Sequence, residues 1–205
     1  MQQHIKQLIE SRISANYFDT TRPLSDADIA ELVRLATLAP TAYNFQNWKF
    51  IAVRSPQAKA RLKAVSYKQQ KVEDAPVTFI IVGTLAAHEG LPQALKPSVD
   101  AGIMSQKVAD GLVTMAVNSH PGNPQLQRDE ALRSGSLAAM TLMLAAEGMG
   151  WNSSALSGFD PAGVAREFKL GENDVPVMLV TVGFAAPGNW PQKPRRPVQE
   201  VMEFA

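Results

Sequence analysis

The first segment whose side chains are suited to chemistry lies near the N-terminus and reads Arg12-Ile13-Ser14-Ala15-Asn16. The guanidinium of Arg12 presents a planar fork of donors that fits a phosphate, and Ser14 adds a hydroxyl donor. Taken alone, such residues more commonly form the exposed end of a helix. The segment therefore favours an anion contact only if other parts of the chain supply further donors.

A second polar segment, residues 39–50, joins a helical pattern to a strand pattern and reads APTAYNFQNWKF. Asn44 and Gln46 each carry a donor and an acceptor on one amide, so either side chain can pair with a ring edge that displays both, as a flavin pyrimidine does. Taken alone, the more common structure is a turn in which both amides bond to nearby backbone and Trp48 packs in the core.

The third segment is basic and lies close to the C-terminus, with the sequence KPRRP at residues 193–197. Two or three clustered cations suit a phosphomonoester, although a charge run is more often a solvated tail. The tail from residue 185 to residue 205 holds four prolines. Because so long an irregular stretch cannot hold a core of its own, we expect it to lie on another surface, with a partner subunit as the candidate.

The elements that must position these segments are predicted from hydrophobic spacing and capping residues. Helical spacing and caps predict helices at 2–11, 25–40, 56–65, 103–117, 124–149 and from 161 onward. Apolar runs rich in β-branched residues predict strands at 48–53, 77–82 and 175–182. Strands and helices interleave, which favours a sheet with helices on its faces in one domain spanning residues 1–205.

Two further stretches bear on the site: a long predicted helix and a region of mixed composition. The predicted helix at 124–149 has a middle rich in Gly, Ala and Ser, which lets another backbone approach closely. That stripe could pack on a symmetry mate at a twofold interface or be buried within one subunit. Residues 84–123 mix Gly, Pro and His with helical spacing, and they are the candidate substrate lid.

Composition excludes several classes of protein. The 20 Lys and Arg residues nearly balance the 19 Asp and Glu residues without a basic block, so nucleic-acid binding is not expected. The absence of cysteine excludes disulfides, zinc–thiolate sites and cysteine nucleophiles. The longest apolar stretch, residues 137–146, is far shorter than the about 20 residues of a membrane span, and we expect a soluble, cytoplasmic protein. His4, His88 and His120 are dispersed along the chain, so each is expected to be a surface or packing residue rather than a ligand.

In their order along the chain, these segments resemble the nitroreductase family of flavin enzymes. The likeness rests on Arg-x-Ser at residue 12, Ala-Pro-x-x-x-Asn-x-Gln-x-Trp-x-Phe at 39–50, Leu-Ala-Ala-x-x-x-Gly at 144–150, Gly-Phe at 158 and Lys-x-Arg at 193. It implies an α+β fold with a central, mostly antiparallel sheet flanked by helices, in an intertwined homodimer. It also implies FMN bound at the dimer interface. NADH or NADPH would give hydride through flavin N5 to a nitroaromatic, a quinone or a similar small acceptor, with ping-pong kinetics.

The resemblance assigns cofactor-binding residues by position in three sets. The phosphate side has Arg12, Ser14, Lys193 and Arg195, flanked by Ile13, with Asn16 near the flavin pyrimidine. The set that reaches the flavin from the partner subunit is Pro40, Thr41, Ala42, Asn44 and Gln46. The ring set is Lys68 or Gln69, with the backbone N–H groups of Ser157 and Gly158 facing N5 and O4. Because flavin N5 carries the chemistry, no catalytic side chain and no metal are implied.

Some positions depart from the family pattern. Asn16 stands where the family often has a cation, which predicts less positive charge beside the flavin edge that gains negative charge on reduction. Ile13 replaces a common second Arg, Asn47 replaces a Pro, and Ser157 replaces an acidic residue or Pro. Tyr43 and Phe45 are candidate walls of the substrate pocket, whereas Trp151 is expected in the core.

Three other functions remain open at this point. The same fold could serve a flavin-fragmenting or dehalogenating enzyme, a flavin-binding redox module without turnover, or a structural dimer with no cofactor. A yellow protein that oxidises NAD(P)H steadily in the presence of an acceptor would separate the enzyme from the last two.

Overall fold

The architecture is that of a computed structural model, which describes residues 5–205. His4 and the predicted first residues of the helix at 2–11 lie outside the described residues. The helices are α1 Ile5–Ser11, α2 Asp26–Ala36, α3 Pro56–Ala64, α4 Lys71–Asp74, α5 Leu91–Asp100, α6 Gln106–Ser119, α7 Pro124–Gly148 and α8 Pro161–Glu167. The strands are β1 Trp48–Val53, β2 Val77–Thr84, β3 Asn152–Leu156 and β4 Asp174–Gly183.

The four strands form one sheet in the order β1-β2-β4-β3, and every neighbouring pair is antiparallel. The expectation of a mostly antiparallel sheet flanked by helices is therefore confirmed. One register row crosses the whole sheet, from Ile51 through Ile80 and Leu179 to Leu156. Strands β1 and β3 are the two edges, and three strand spacings separate them by about 14 Å.

Helices cover both faces of the sheet, which explains why β2 is apolar at almost every position. Phe79 joins the cluster that contains Leu32 of α2 and Leu142 of α7. The adjacent residue Ile80 points the other way and joins the cluster that contains Leu62 of α3. None of the helices in the described part of the chain is both long and apolar enough to cross a bilayer.

The stripe of small residues on α7 packs against the sheet of its own subunit. Ser134, Gly135, Ala138 and Ala139 are buried there, and a Cβ on Gly135 would come within 2.8 Å of Val177 on β4. These four residues therefore favour the alternative in which the stripe is buried within one subunit. Small residues are needed because the central helix lies so close to its own strands.

The sequence patterns missed some elements. Strand β3 was not predicted because its sequence, Asn-Ser-Ser-Ala-Leu, is short and polar. In the structure it pairs along its length with β4. Helix α5 escaped because it contains Pro97 in its interior. The stretch 84–123 thus folds as the two helices α5 and α6 with short connectors, rather than as one helical patch. Helix α2 also ends at Ala36, earlier than the predicted boundary at Pro40.

Candidate functional site

The N-terminal cationic segment lies beside the edge strand β3. Ser14 forms a parallel bridge with Ser153, and the N–H of Ala15 donates to the carbonyl of Ser153 at 3.0 Å. Ala15 is buried, and Arg12, Ser14 and Asn16 are the alternate residues of this short segment. The edge strand therefore fixes the segment at Ser14 and Ala15, and we refer to Arg12, Ser14 and Asn16 as the N-terminal row.

Lys71 is a functional candidate that the sequence interpretation missed. Its Nζ donates to the Oδ1 of Asn16 and to the Oγ of Ser154, both at 3.2 Å. Burial, and then the charge of Lys193, hold the pKa of Lys71 below its usual range. Although residue 16 is itself neutral, the ammonium of Lys71 contacts the Asn16 side chain. The sequence offers one indication of Lys71 as a site residue, which is its position at the start of the short helix α4.

The tail from residue 185 begins on its own subunit. The Oδ1 of Asn189 accepts from the backbone N–H groups of Asn16 at 2.6 Å and Tyr17 at 3.1 Å. Its Nδ2 donates to the carbonyl of Tyr17 at 2.8 Å. Residues 185–189 are therefore bound to the N-terminal segment, and only the part beyond Asn189 is free to reach a partner.

The two predicted tail cations have different surroundings. Lys193 lies close enough to Lys71 to lower the pKa of that lysine, so the tail does bring one cation to the N-terminal row. The Arg195 guanidinium donates to the Lys193 carbonyl at 2.6 Å and to the Gln192 side chain at 3.0 Å. In this structure Arg195 is exposed and bonds within the tail itself.

The ring-side residues meet at the end of β3. The Nε2 of Gln69 donates to the carbonyl of Gly158 at 2.7 Å, which fixes the loop after β3. Within the described residues the N–H of Gly158 donates to no protein acceptor, so it is free for a ligand. Tyr67 and Lys68 have φ values of 51° and 56°, and this left-handed pair leaves the Tyr67 ring 71% exposed beside Gly158.

The loop before β1 presents two amide side chains on a strained backbone. Asn44 and Gln46 have φ values of 61° and 50°, in the left-handed region that non-glycine residues seldom adopt. Thr41 holds the turn, because its carbonyl accepts from the N–H of Asn44 at 3.1 Å and its Oγ1 accepts from the N–H of Gln46 at 3.0 Å. Backbone strain of this kind clusters at functional sites.

The Asn44 and Gln46 side chains are themselves exposed, and across residues 5–205 neither forms a hydrogen bond. The alternative of an ordinary turn closed by these two amides is therefore wrong. Next to this loop, a crevice of about 280 Å³ opens between Pro40–Ala42 and α7. The buried Oγ of Ser134 lines it and has no partner among the described residues.

The two parts of the predicted site are not adjacent within one subunit. The loop at residues 40–47 precedes β1, whereas the N-terminal row and Gly158 flank β3. These strands are opposite edges of the sheet, about 14 Å apart. One subunit therefore brings together the phosphate-side and Gly158 residues but leaves the Asn44 loop at the far edge.

Two of the histidines are adjacent in space although they are far apart in sequence. The rings of His88 and His120 have centroids 5.9 Å apart, and both are buried. Both rings therefore pack in the interior, and two residues that are far apart along the chain are neighbours in the fold. Trp151 is buried in the core beside the sheet, as expected.

A sequence model described as the Nitroreductase family matches residues 9–184 of the chain. YodC from Bacillus subtilis, which is named as an NAD(P)H nitroreductase, is 33% identical over 178 residues, covering 87% of this chain and 88% of YodC. MhqN from the same organism, named in the same way, is 30% identical over 199 residues, covering 96% of this chain and 97% of MhqN.

Solved structures share the fold over almost the whole length. The nitroreductase named ydfN from Bacillus subtilis superposes with a TM-score of 0.91 at 30% identity, covering 98% of each chain. A nitroreductase from Exiguobacterium sibiricum 255-15, solved in complex with FMN, superposes with a TM-score of 0.91 at 26% identity, covering 99% of this chain and 98% of that one.

Proposed function

Because this chain belongs to the nitroreductase family, we propose that it is an FMN-dependent enzyme that passes hydride from NADH or NADPH to a nitroaromatic, a quinone or a similar small acceptor. Family membership already makes it an oxidoreductase of the NAD(P)H nitroreductase type. The FMN complex of the Exiguobacterium relative supports the choice of cofactor. A cytoplasmic location without nucleic-acid partners stays a prediction.

The observation that carries this proposal is the pair of cations, Lys71 and Lys193, beside the segment that contains Arg12. Arg12, Lys71 and Lys193 have no carboxylate within ion-pair distance in the described part of the chain. Lys71 and Lys193 are close enough to repel each other. Cations assembled without a protein anion favour an anionic ligand, and the FMN phosphate is such a group.

The residues around these cations fit the rest of the cofactor. FMN, when bound, supplies hydride transfer at its N5 atom. Arg12, Ser14 and Lys193 would hold the phosphate, while Lys71 and Asn16 would lie at the ring edge that becomes negative on reduction. The free N–H of Gly158 would donate to the ring from the end of β3, with Gln69 fixing that loop.

A second copy of the chain completes the proposed site. The Asn44 loop and the N-terminal row lie at opposite edges of one sheet, so a twofold axis is needed to bring the loop of one subunit to the row of the other. Apolar surface is available for such contact. A groove of about 500 Å³ is lined by Ile5, Leu8, Leu35, Leu38, Leu144 and Met149.

The tail supplies further apolar surface for a partner. Val198, Val201, Met202 and Phe204 are exposed, and Phe204 is 93% exposed. Exposed apolar side chains gathered on an otherwise polar tail mark an interaction surface. We expect residues 190–205 to wrap the second subunit, starting from the anchor at Asn189.

Purified protein tests the proposal directly. It should be yellow, release FMN on heating at about one FMN per chain, and oxidise NADH or NADPH steadily with menadione or a nitrofuran. An Arg12→Ala/Ser14→Ala variant should fold normally by circular dichroism yet lose the flavin. Flavin binding without turnover for any acceptor would instead indicate a redox module, and failure to take up FMN would overturn the proposal.

A further inference from the structure

Helix α5 packs on α6 and on the Asn44 loop rather than on the sheet. The two helices share a separate apolar cluster with that loop, built around Phe45, Leu91, Leu95, Ala109 and Ala116, with Tyr43 at its margin. We refer to residues 91–119 as the lid. The lid and the loop therefore form one packed unit, and the position of the loop depends on how this cluster is held.

His120 is the ring that contacts both aromatic side chains of the loop. Its centroid lies 5.1 Å from that of Phe45 and 5.9 Å from that of Tyr43, and both contacts are edge-to-face at 80°. His88 lies behind it at 5.9 Å. His88 precedes the lid and His120 follows it, so the pair joins the two connectors at the base of the lid.

The His120 ring is itself firmly placed. Its backbone N–H donates to the carbonyl of Ala116 at 3.0 Å, and its Nδ1 lies 3.1 Å from the same carbonyl. The carbonyl of His120 accepts from the Nε2 of Gln127 at 2.8 Å, while the Oε1 of Gln127 accepts from the N–H of Ala86 at 2.9 Å. Through Gln127, helix α7 therefore ties both connectors of the lid to the body.

The backbone of the loop needs such support. Tyr43 and Asn44 have φ values of 54° and 61°, and residues in the left-handed region persist where surrounding structure holds them there. Thr41 closes the turn by hydrogen bonds, but the Tyr43 ring has its support in Phe45 and His120. Removal of the His120 ring would leave Phe45 as the one aromatic support of the Tyr43 ring among the described residues.

We propose that His120, backed by His88, is a positioning residue that holds the Tyr43 ring as a wall of the acceptor pocket. This inference rests on the proposed function, which brings the Asn44 loop to the flavin of the partner subunit. We assign the positioning of Tyr43 to the shape of the flat His120 ring and not to proton transfer by its nitrogens. The Nε2 of His120 and the Nδ1 of His88 are buried and have no hydrogen-bond partner within residues 5–205.

Two substitutions separate the ring from its hydrogen bonds. His120→Phe keeps a flat ring, whereas His120→Gln keeps a polar group of similar size without a ring. We expect His120→Gln to lower kcat/KM for menadione by about tenfold, since displacement of a pocket wall by about 1 Å is enough to disturb productive geometry. His120→Phe should stay close to wild type, and ferricyanide, which needs no stacking in the pocket, should be reduced equally by all three proteins.

A double-mutant cycle with Tyr43→Leu tests whether His120 acts through Tyr43. The effect of His120→Gln on menadione should disappear in the Tyr43→Leu background, because coupled residues are not additive. Additive effects, or an equal loss in His120→Phe, would overturn the proposal. Loss of ferricyanide activity in parallel with menadione activity would also overturn it.

A measurement on the flavin-free protein separates this inference from the proposed function. In His120→Gln, hydrogen exchange should rise in a peptide covering residues 41–48 and stay unchanged in α3. Leu62→Ala, a core substitution in the other cluster, should show the reverse pattern. Unchanged exchange at 41–48 would refute the positioning role, whereas a wild-type protein without flavin-dependent turnover would refute only the proposed function.

Discussion

The Nζ of Lys71 lies 3.2 Å from the side-chain oxygen of Asn16, on the segment that contains Arg12 and Ser14. A cation therefore lies beside residue 16, although Asn16 itself is neutral. The ammonium reaches it from helix α4, which no sequence pattern predicted. This contact makes Lys71 the residue whose charge can be tested most directly.

Replacement of Lys71 by Met should weaken FMN binding by about ten- to a hundredfold, because hydrogen bonds to charged groups contribute about 1.5–3 kcal/mol. Titration of the apoprotein by quenching of FMN fluorescence measures the change in Kd. Lys107→Met, at an exposed position on α6, is the matched control and should bind FMN like wild type. Equal affinities in the two variants would remove Lys71 from the site.

The lowered pKa of Lys71 predicts that the stability of the apoprotein and its affinity for FMN change with pH in opposite directions. Because burial lowers the pKa of the folded form, the apoprotein gains stability as pH rises from that value towards the about 10.4 of an unfolded lysine. FMN affinity should fall over the same range, since Lys71 loses the positive charge that attracts the anionic cofactor. Lys71→Arg stays charged and should abolish both trends in denaturation and FMN titrations. Persistence of either trend in this variant would assign it to another group.

Disruption of the apolar groove should separate the subunits. Leu38 is 69% exposed, so Leu38→Asp leaves the core intact while placing a charge in the proposed interface. We expect the dimer Kd to rise by at least about a hundredfold, with loss of FMN, in sedimentation velocity and absorbance. Ile103→Asp, at an 81% exposed position before α6, should change neither. A monomeric variant that keeps FMN would contradict the cross-subunit site.

Two glycine substitutions test the packing of α7 on its own sheet. Gly135→Ala places a methyl group within 2.8 Å of Val177 and should reduce the free energy of unfolding by about 1–3 kcal/mol. Gly111→Ala on α6, where nothing lies within 4 Å of the added carbon, should increase it by up to about 1 kcal/mol. Urea denaturation of the flavin-free protein measures both. If Gly135→Ala left the free energy of unfolding unchanged, helix α7 would have to lie farther from the sheet than the structure shows.

A single pocket used in turn by the nicotinamide and the acceptor predicts ping-pong kinetics. Double-reciprocal plots of rate against NADH concentration at several menadione concentrations should be parallel. No side chain of the site needs to act as a nucleophile in this scheme. Lines that intersect would require both substrates to be bound together and would exclude one shared pocket.

Much of the fold was predictable because its signals are local. Ser25 and Asp28 form the capping box that starts α2, and Ser55 caps α3 with Pro56 at its first position. The apolar runs of β2 and β4 reflect burial on both faces of the sheet. The polar strand β3 gave no such signal, because four of its five residues are polar or small and its pairing with β4 is visible only in the fold.

The site was less predictable because it depends on strand order. Residue types indicated that Arg12 and Asn44 could hold a cofactor, but nothing local showed that their segments flank opposite edges of one sheet. The same limit hid Lys71, whose contact with Asn16 crosses 55 positions. It also hid the pairing of His88 with His120, which depends on how the lid folds back on itself.

The clamp between Asn189 and the backbone of Asn16 has a consequence for the order in which the protein is made. This contact spans 173 positions, so the backbone around Asn16 is held by it only once the chain has been synthesised through Asn189. Contacts of such long range form late, because the entropy cost of closing the intervening loop precedes the stabilisation that the contact gives. We therefore expect flavin loading to follow synthesis of the chain through Asn189, with the segment around Asn16 among the last to reach its native position.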